Sequence, residues 1–246
     1  MSYFLLFIVA IWAGAQNALA GGGSFLLLPT LMFTGMDAFA ANLTACVALF
    51  PAQLATGWTG RKHAAGVGGV SLKAFFALSV IGGAIGAYIL LATPRGLFAH
   101  LVPWLVLFAT LIFAWGNFFR KPGTSHVHLS PVAALFMQFL IAIYGGYFGG
   151  GAGFLMVSAL TMAGQNVRVA STTKNMLAGV MNAAAVLIFV FSPDLFWGQA
   201  LVTAVGATLG GVAGARVLHH VDEKILRVVV VIVGAALTVG LFIKAG

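Results

Sequence analysis

The sequence predicts an all-α polytopic membrane protein built of two inverted-topology repeats. Each repeat is expected to be a glycine-broken helical hairpin followed by three transmembrane helices. Three observations predict this: a composition too apolar for water, an internal duplication, and a lopsided distribution of positive residues over the loops. Of the 246 residues, 61% are hydrophobic and 7% charged, against about 25% charged in a soluble domain. Four acidic residues do not solvate a globule of this size, so the lipid bilayer is the expected surrounding. The net charge of +8 fits cytoplasmic loops, which collect Lys and Arg, and no nucleic-acid partner is expected.

Apolar runs approaching the roughly 20 residues that span a bilayer lie near residues 3–20, 38–59, 71–92, 97–118, 131–148, 170–191, 196–215 and 225–243. The first, "MSYFLLFIVAIWAGAQ", has no Lys or Arg ahead of its apolar core. It therefore reads as a mature segment and not as a secretory signal. Asp37, just before the second run, reads as a helix N-cap, and Pro51 is expected to bend that helix. The single cysteine, Cys46, excludes an intrachain disulfide and reads as a buried thiol.

Glycine interrupts this pattern twice, in "NALAGGGSFLLLPTLMFTG" (17–35) and in "YGGYFGGGAGFLMVSALTMAG" (144–164). Shifting the chain by 129 residues superposes the two: Gly21 falls on Gly150, Gly35 on Gly164, Asp37 on Asn166 and Thr44 on Thr173. A shift of 128 superposes "GGAIGA" (82–87) on "GGVAGA" (210–215). The chain thus divides into a first repeat, 1–119, a cytoplasmic linker, 120–130, and a second repeat, 131–246.

Loop charges choose between two threadings. If each glycine stretch lies within one broken span, the Lys and Arg residues divide six against six. If the chain instead turns back at the glycines, ten share a side: Arg61, Lys62, Lys73, Arg120, Lys121, Arg168, Lys174, Arg216, Lys224 and Arg227. Only Arg95 and Lys244 then lie opposite. The second division satisfies the positive-inside rule. It leaves three full spans per half, so the halves are inverted and both termini are extracytoplasmic. Inverted repeats with interrupted helices are a secondary-transporter plan, which an anion channel or a membrane scaffold without transport activity also permits.

Irregular backbone at membrane depth survives only inside protein or beside a wet cavity. Short helices starting near Ser24 and Gly153 would aim their N–H groups and positive dipole ends at the turns. That makes an anion site, with Ser24 as the expected N-cap. "GGAIGA" and "GGVAGA" read instead as close helix packing. Polar intramembrane residues tend to be functional; Asn42, Thr44, Gln53, Ser171, Thr172, Thr173, Lys174, Asn175 and Asn182 are of this kind. Lys174 either pairs with an anionic substrate or snorkels to the headgroups. His63, His100, His126, His128, His219 and His220 fall in loops or at span ends, so no metal site, cofactor or catalytic residue is expected.

The stretches "AGGGSFLLLPTL", "ANLTACVALFPAQLATGW", "IYGGYFGGGAGFLMVSAL" and "VRVASTTKNMLAGVMNA" resemble the sulfite exporter TauE/SafE family. The resemblance runs from about residue 5 to 243. It implies an inner-membrane secondary transporter for a small anion such as sulfite or an organosulfonate. Gly21, Gly22, Gly23 and Ser24, with Gly149, Gly150, Gly151 and Gly153, match the family's glycine motifs. Asn42, Thr44, Thr173, Lys174 and Asn175 match its polar motif. Asn17 and Tyr147, beside the glycines, complete the candidate substrate-binding set. The first copy has only three consecutive glycines before Ser24 and so departs from the fullest motif. Proton coupling and a homodimer are compatible with this plan.

Overall fold

The computed structural model describes residues 3–19, 21–114, 129–217 and 223–245. Ten helices follow in order: α1 (Tyr3–Leu19), α2 (Gly23–Met32), α3 (Ala38–Gly60), α4 (Leu72–Ala92), α5 (Arg95–Ala114), α6 (Pro131–Tyr147), α7 (Ala152–Met162), α8 (Val167–Phe189), α9 (Trp197–Val217) and α10 (Glu223–Ala245). Residues 120–128 of the expected linker, including Arg120, Lys121, His126 and His128, lie outside the described residues. So do His219 and His220, and the side chains of Arg168, Arg216, Lys224, Arg227 and Lys244. Four described segments, 38–63, 72–92, 95–112 and 169–189, are long and apolar enough to cross a bilayer, and shorter apolar helices accompany them. The protein is a multi-pass helical membrane protein.

Each glycine stretch is a tight turn between two helices. Gly21 and Gly22 stand at φ of 82° and 79°, and Gly149 and Gly151 at 75° and 79°. Residues with a Cβ seldom adopt this left-handed backbone, so the turns need glycine. After the first turn the chain folds back on itself, and Gly23 lies against Ala13 and Asn17 of α1. Gly22 is the N-cap of α2 and has no side chain to cap it; Asn17 Oδ1 accepts from Gly23 N instead (3.4 Å). This corrects the expectation for Ser24, which lies inside the first helical turn: a left-handed glycine sets the entry to the helix, so the hydroxyl has no cap position to fill.

The helices that follow the two turns correspond in length and in capping. α3 and α8 each have 23 residues. Asp37 Oδ1 accepts from Ala40 N (2.8 Å) and Asn166 Oδ1 accepts from Val169 N (2.9 Å), so equivalent residues cap equivalent helices. Pro51 lies inside α3, which leaves the Val47 carbonyl without its helical N–H partner.

α3 and α8 run antiparallel, as the contacts at their ends show. Where α3 starts, Arg95 joins Asp37 (2.7 Å) to Asp194, which follows α8. Where α3 ends, Gln165, just before α8, donates to the carbonyls of Ala65 (2.8 Å) and Gly66 (3.2 Å). Thr173 Oγ1 accepts from Ala65 N there (3.2 Å). At about 1.5 Å per residue, the 23 residues of α3 separate these two sets of contacts by roughly 35 Å.

The first helix of each hairpin packs on the other half. α1 lies parallel to α9, with Ile11 against Gly210 and Ala15 against Gly214. α6 lies parallel to α4, with Ala142 and Phe139 against Gly82 and Ile143 and Gly146 against Gly86. Gln138 of α6 donates to Ser79 of α4 (2.9 Å) inside this contact. The "GGAIGA" and "GGVAGA" stretches are therefore packing faces, where a missing side chain lets backbones touch.

A Cβ at Gly86 or Gly210 would overlap a carbonyl of the facing helix, whereas one at Gly240 meets nothing within 4 Å. Gly86→Val and Gly210→Val should each destabilise the detergent-solubilised protein by about 1–3 kcal/mol, the usual cost of overpacking. Gly240→Val should change little. Thermal unfolding followed by size-exclusion chromatography checks the difference.

Candidate functional site

The two glycine turns meet inside the protein. A Cβ on Gly21 would lie 3.4 Å from the Cα of Gly153, and one on Gly22 would strike the Phe154 ring at 2.8 Å. Phe25, at the start of α2, reciprocates by packing near Gly151. Each turn is thus covered by the first helical turn of the opposite short helix. Tyr144 Oη donates to Gly150 O (2.8 Å) and holds the second turn from α6.

A cavity opens beside this contact. α1 contributes Asn17, the first turn contributes Gly22, and the second turn with α7 contributes Gly149, Ala152 and Gly153. α3 gives Gln53, and α8 gives Lys174, Asn175, Ala178, Met181 and Asn182. The α8 residues occupy the middle of that helix, with at least seven helical residues on either side. The N-caps Gly22 and Gly151 have no side chain to cap α2 and α7, and at the start of α2 Asn17 Oδ1 accepts from Gly23 N (3.4 Å).

Lys174 is 2% exposed, and its Nζ donates to the Asn17 carbonyl at 3.3 Å. The same carbonyl accepts from Gly21 N at 3.1 Å. The side chain therefore points inward at the first glycine turn, and its stem packs beside Gly153. It does not snorkel. Among the described residues the ion pairs are those of Arg95 with Asp37 and Asp194, and no carboxylate pairs with Lys174. A buried charge is costly unless a partner is bound to it. Among the described residues no three His, Cys, Asp or Glu side chains converge as a metal site would require.

Of the candidate residues, Asn17, Gly22, Gly149, Gly153, Lys174 and Asn175 line the cavity. Gly21, Gly23, Gly150 and Gly151 shape the turns, and Ser24 Oγ stands beside Gly149. Four others lie in contacts between the halves. Asn42 Nδ2 donates to the Tyr147 carbonyl (3.1 Å), and the Tyr147 ring packs edge-on against Phe98. Thr44 Oγ1 accepts from Phe196 N (3.4 Å), and Thr173 meets Ala65. Gln53 and Asn182, which the sequence marks only as intramembrane polar residues, join the lining and hydrogen-bond each other. The signal for them was positional: they are 129 residues apart, the offset of the duplication, so they face one another across it.

Interrupted helices meeting at a buried cation, inside a bundle of membrane-spanning helices, fit a membrane transporter. The chain belongs to the Sulfite exporter TauE/SafE family, whose profile matches residues 6–241. It is 27% identical over 239 residues to the probable membrane transporter protein YfcA of Escherichia coli K12, covering 95% of this chain and 87% of that one. A probable membrane transporter protein of Haemophilus influenzae is also 27% identical, over 95% of this chain and 92% of its own. YunE of Bacillus subtilis, another probable membrane transporter protein, is 25% identical over 96% and 97% of the two chains. No solved structure matches.

Gly22→Val and Gly151→Val place a β-branched residue at φ near 79° against Phe154 or Ala109. Both variants should still insert in the membrane but lose the anion binding that the sequence leads one to expect of these turns. Membrane fractionation with a thermal-shift titration of sulfite tests this, and unchanged affinity would sink the role of the turns.

Proposed function

We propose that this protein is a secondary transporter that exports a small sulfur-containing anion, sulfite or an organosulfonate, across the inner membrane by alternating access. The observation that carries the reading is Lys174, a buried cation without a carboxylate partner among the described residues, set between two glycine turns. An oxyanion in the cavity would supply the missing charge and accept from Lys174 and from N–H groups at the starts of α2 and α7. The family's name, sulfite exporter, supports the choice of anion.

The inverted threading is supported by the contacts at the ends of α3. Turning back at the glycines puts Asp37, Arg95 and Asp194 on one face, and Ala65 and Gln165 on the other. Those groups do contact one another in these sets. With broken single spans, Arg95 and Asp194 would lie on opposite faces, and so would Gln165 and Ala65. Both termini are then extracytoplasmic. Arg61, Lys62 and Lys73 fall on the cytoplasmic side with Gln165, as the positive-inside rule asks.

Alternating access then needs two ties that open in turn. Arg95 holds the outer ends of the two halves together, and the Gln165 and Thr173 bonds to Ala65 hold the inner ends. The anion enters when the inner tie opens and leaves when the outer tie opens.

Saturable, gradient-driven sulfite uptake into inside-out vesicles is expected; flux that is linear in concentration and follows only voltage would refute the transporter. Lys174→Ala should weaken anion affinity about tenfold or more, because hydrogen bonds to charged groups contribute roughly 1.5–3 kcal/mol. In a Cys46→Ser background, Arg95→Ala should raise labelling of Asn17→Cys by an impermeant thiol reagent applied from outside. Equal labelling with and without Arg95 would remove the outer tie from the scheme.

A further inference from the structure

The hydrogen bonds between α3 and α8 carry more information than their packing role. Cys46 Sγ lies 3.6 Å from Asn182 Oδ1, and Asn182 Nδ2 donates to Gln53 Oε1. All three residues are buried. The two ends of an amide differ little in shape but oppositely in chemistry, one only donating and the other only accepting. Here the Cys46 S–H donates to the amide oxygen of Asn182. The Asn182 nitrogen is then turned toward Gln53, and Gln53 answers with its own oxygen. Gln53 Nε2, with two N–H groups, takes no part in this pair, and Gln53 forms part of the cavity wall. No protein acceptor for Nε2 occurs among the described residues.

We infer that Gln53 donates a hydrogen bond to the bound anion, and that Cys46 and Asn182 act as positioning residues that hold its amide in the donating orientation. This rests on the reading of the cavity as an anion site. Turned the other way, Gln53 would present a carbonyl oxygen and repel an oxyanion. Lys174 also only donates, so the two side chains together favour a ligand that offers oxygen acceptors in more than one direction. Selection then comes from an amide fixed from behind, by a thiol that does not itself line the cavity. Cys46 and Gln53 are seven residues apart on one face of α3, as Asn175 and Asn182 are on α8. The duplication thus supplied both the pair that crosses the interface and the residue behind it.

The test titrates sulfite and sulfoacetate into the purified full-length protein by calorimetry, with the unliganded melting temperature of each variant measured in parallel. Gln53→Met keeps the shape but removes the donor, and should weaken binding about tenfold or more. Cys46→Ala should weaken it by roughly threefold, because the amides are then free to flip, while Cys46→Ser, whose hydroxyl also donates, should restore it to within about twofold. Unchanged affinity in Gln53→Met overturns the donor role. Equal affinities in Cys46→Ala and Cys46→Ser overturn the relay while leaving the donor role standing. Failure of the unaltered protein to bind either anion removes the anion site itself, and this inference with it.

Discussion

A backbone turn within a bilayer has no water to satisfy its polar groups, and the remainder of this structure follows from how two such turns are covered. Each turn lies against the first helical turn of the opposite short helix: Gly21 against Gly153, and Gly22 against Phe154. Neither break is tolerable alone, because the protein that shelters one is the protein that contains the other. The left-handed glycines are therefore coupled across the two halves. The cavity forms where they meet because bare backbone leaves space that side chains would fill.

Lys174 adds the charge that this arrangement lacks. The turns supply partial positive ends of helices and peptide N–H groups, whereas Lys174 supplies a full charge inside protein. The Asn17 carbonyl, shared between Lys174 and Gly21, ties the ammonium to the geometry of the first turn. A shift of α8 relative to α1 would change both at once. Charge and backbone are thus linked mechanically.

Much of this was legible in the sequence, and the reasons for the rest are physical. The offset of 129 residues located both turns and both caps, since Asp37 and Asn166 do the same work at equivalent places. Apolar runs located the long helices because hydrophobic length is imposed by the membrane. Serine favours the cap position in water-facing helices, whereas here a left-handed glycine starts the helix and Ser24 falls inside it. The direction of Lys174 was undecided, since a lysine two turns inside a span reaches either the headgroups or the interior. Gln53 and Asn182 are chemically alike but not identical, so their equivalence shows as position and not as a motif. The joining of Arg95 to Asp194 is a contact between distant segments, and no local pattern announces it.

The exchange of first helices between the halves has a consequence for synthesis. α6 finds its partner α4 already made, and only about 40 residues separate the end of one from the start of the other. α1 packs on α9, which begins about 180 residues after α1 ends. At about 5–20 residues per second, α1 stands in the membrane for roughly 10–35 s before the surface that receives it exists. During that interval its face for Gly210 and Gly214 lacks its partner, and the first glycine turn gains its cover only when α7 is made. The last-made part of the chain therefore completes the first-made part, and assembly closes from the C-terminal half back to the N-terminus.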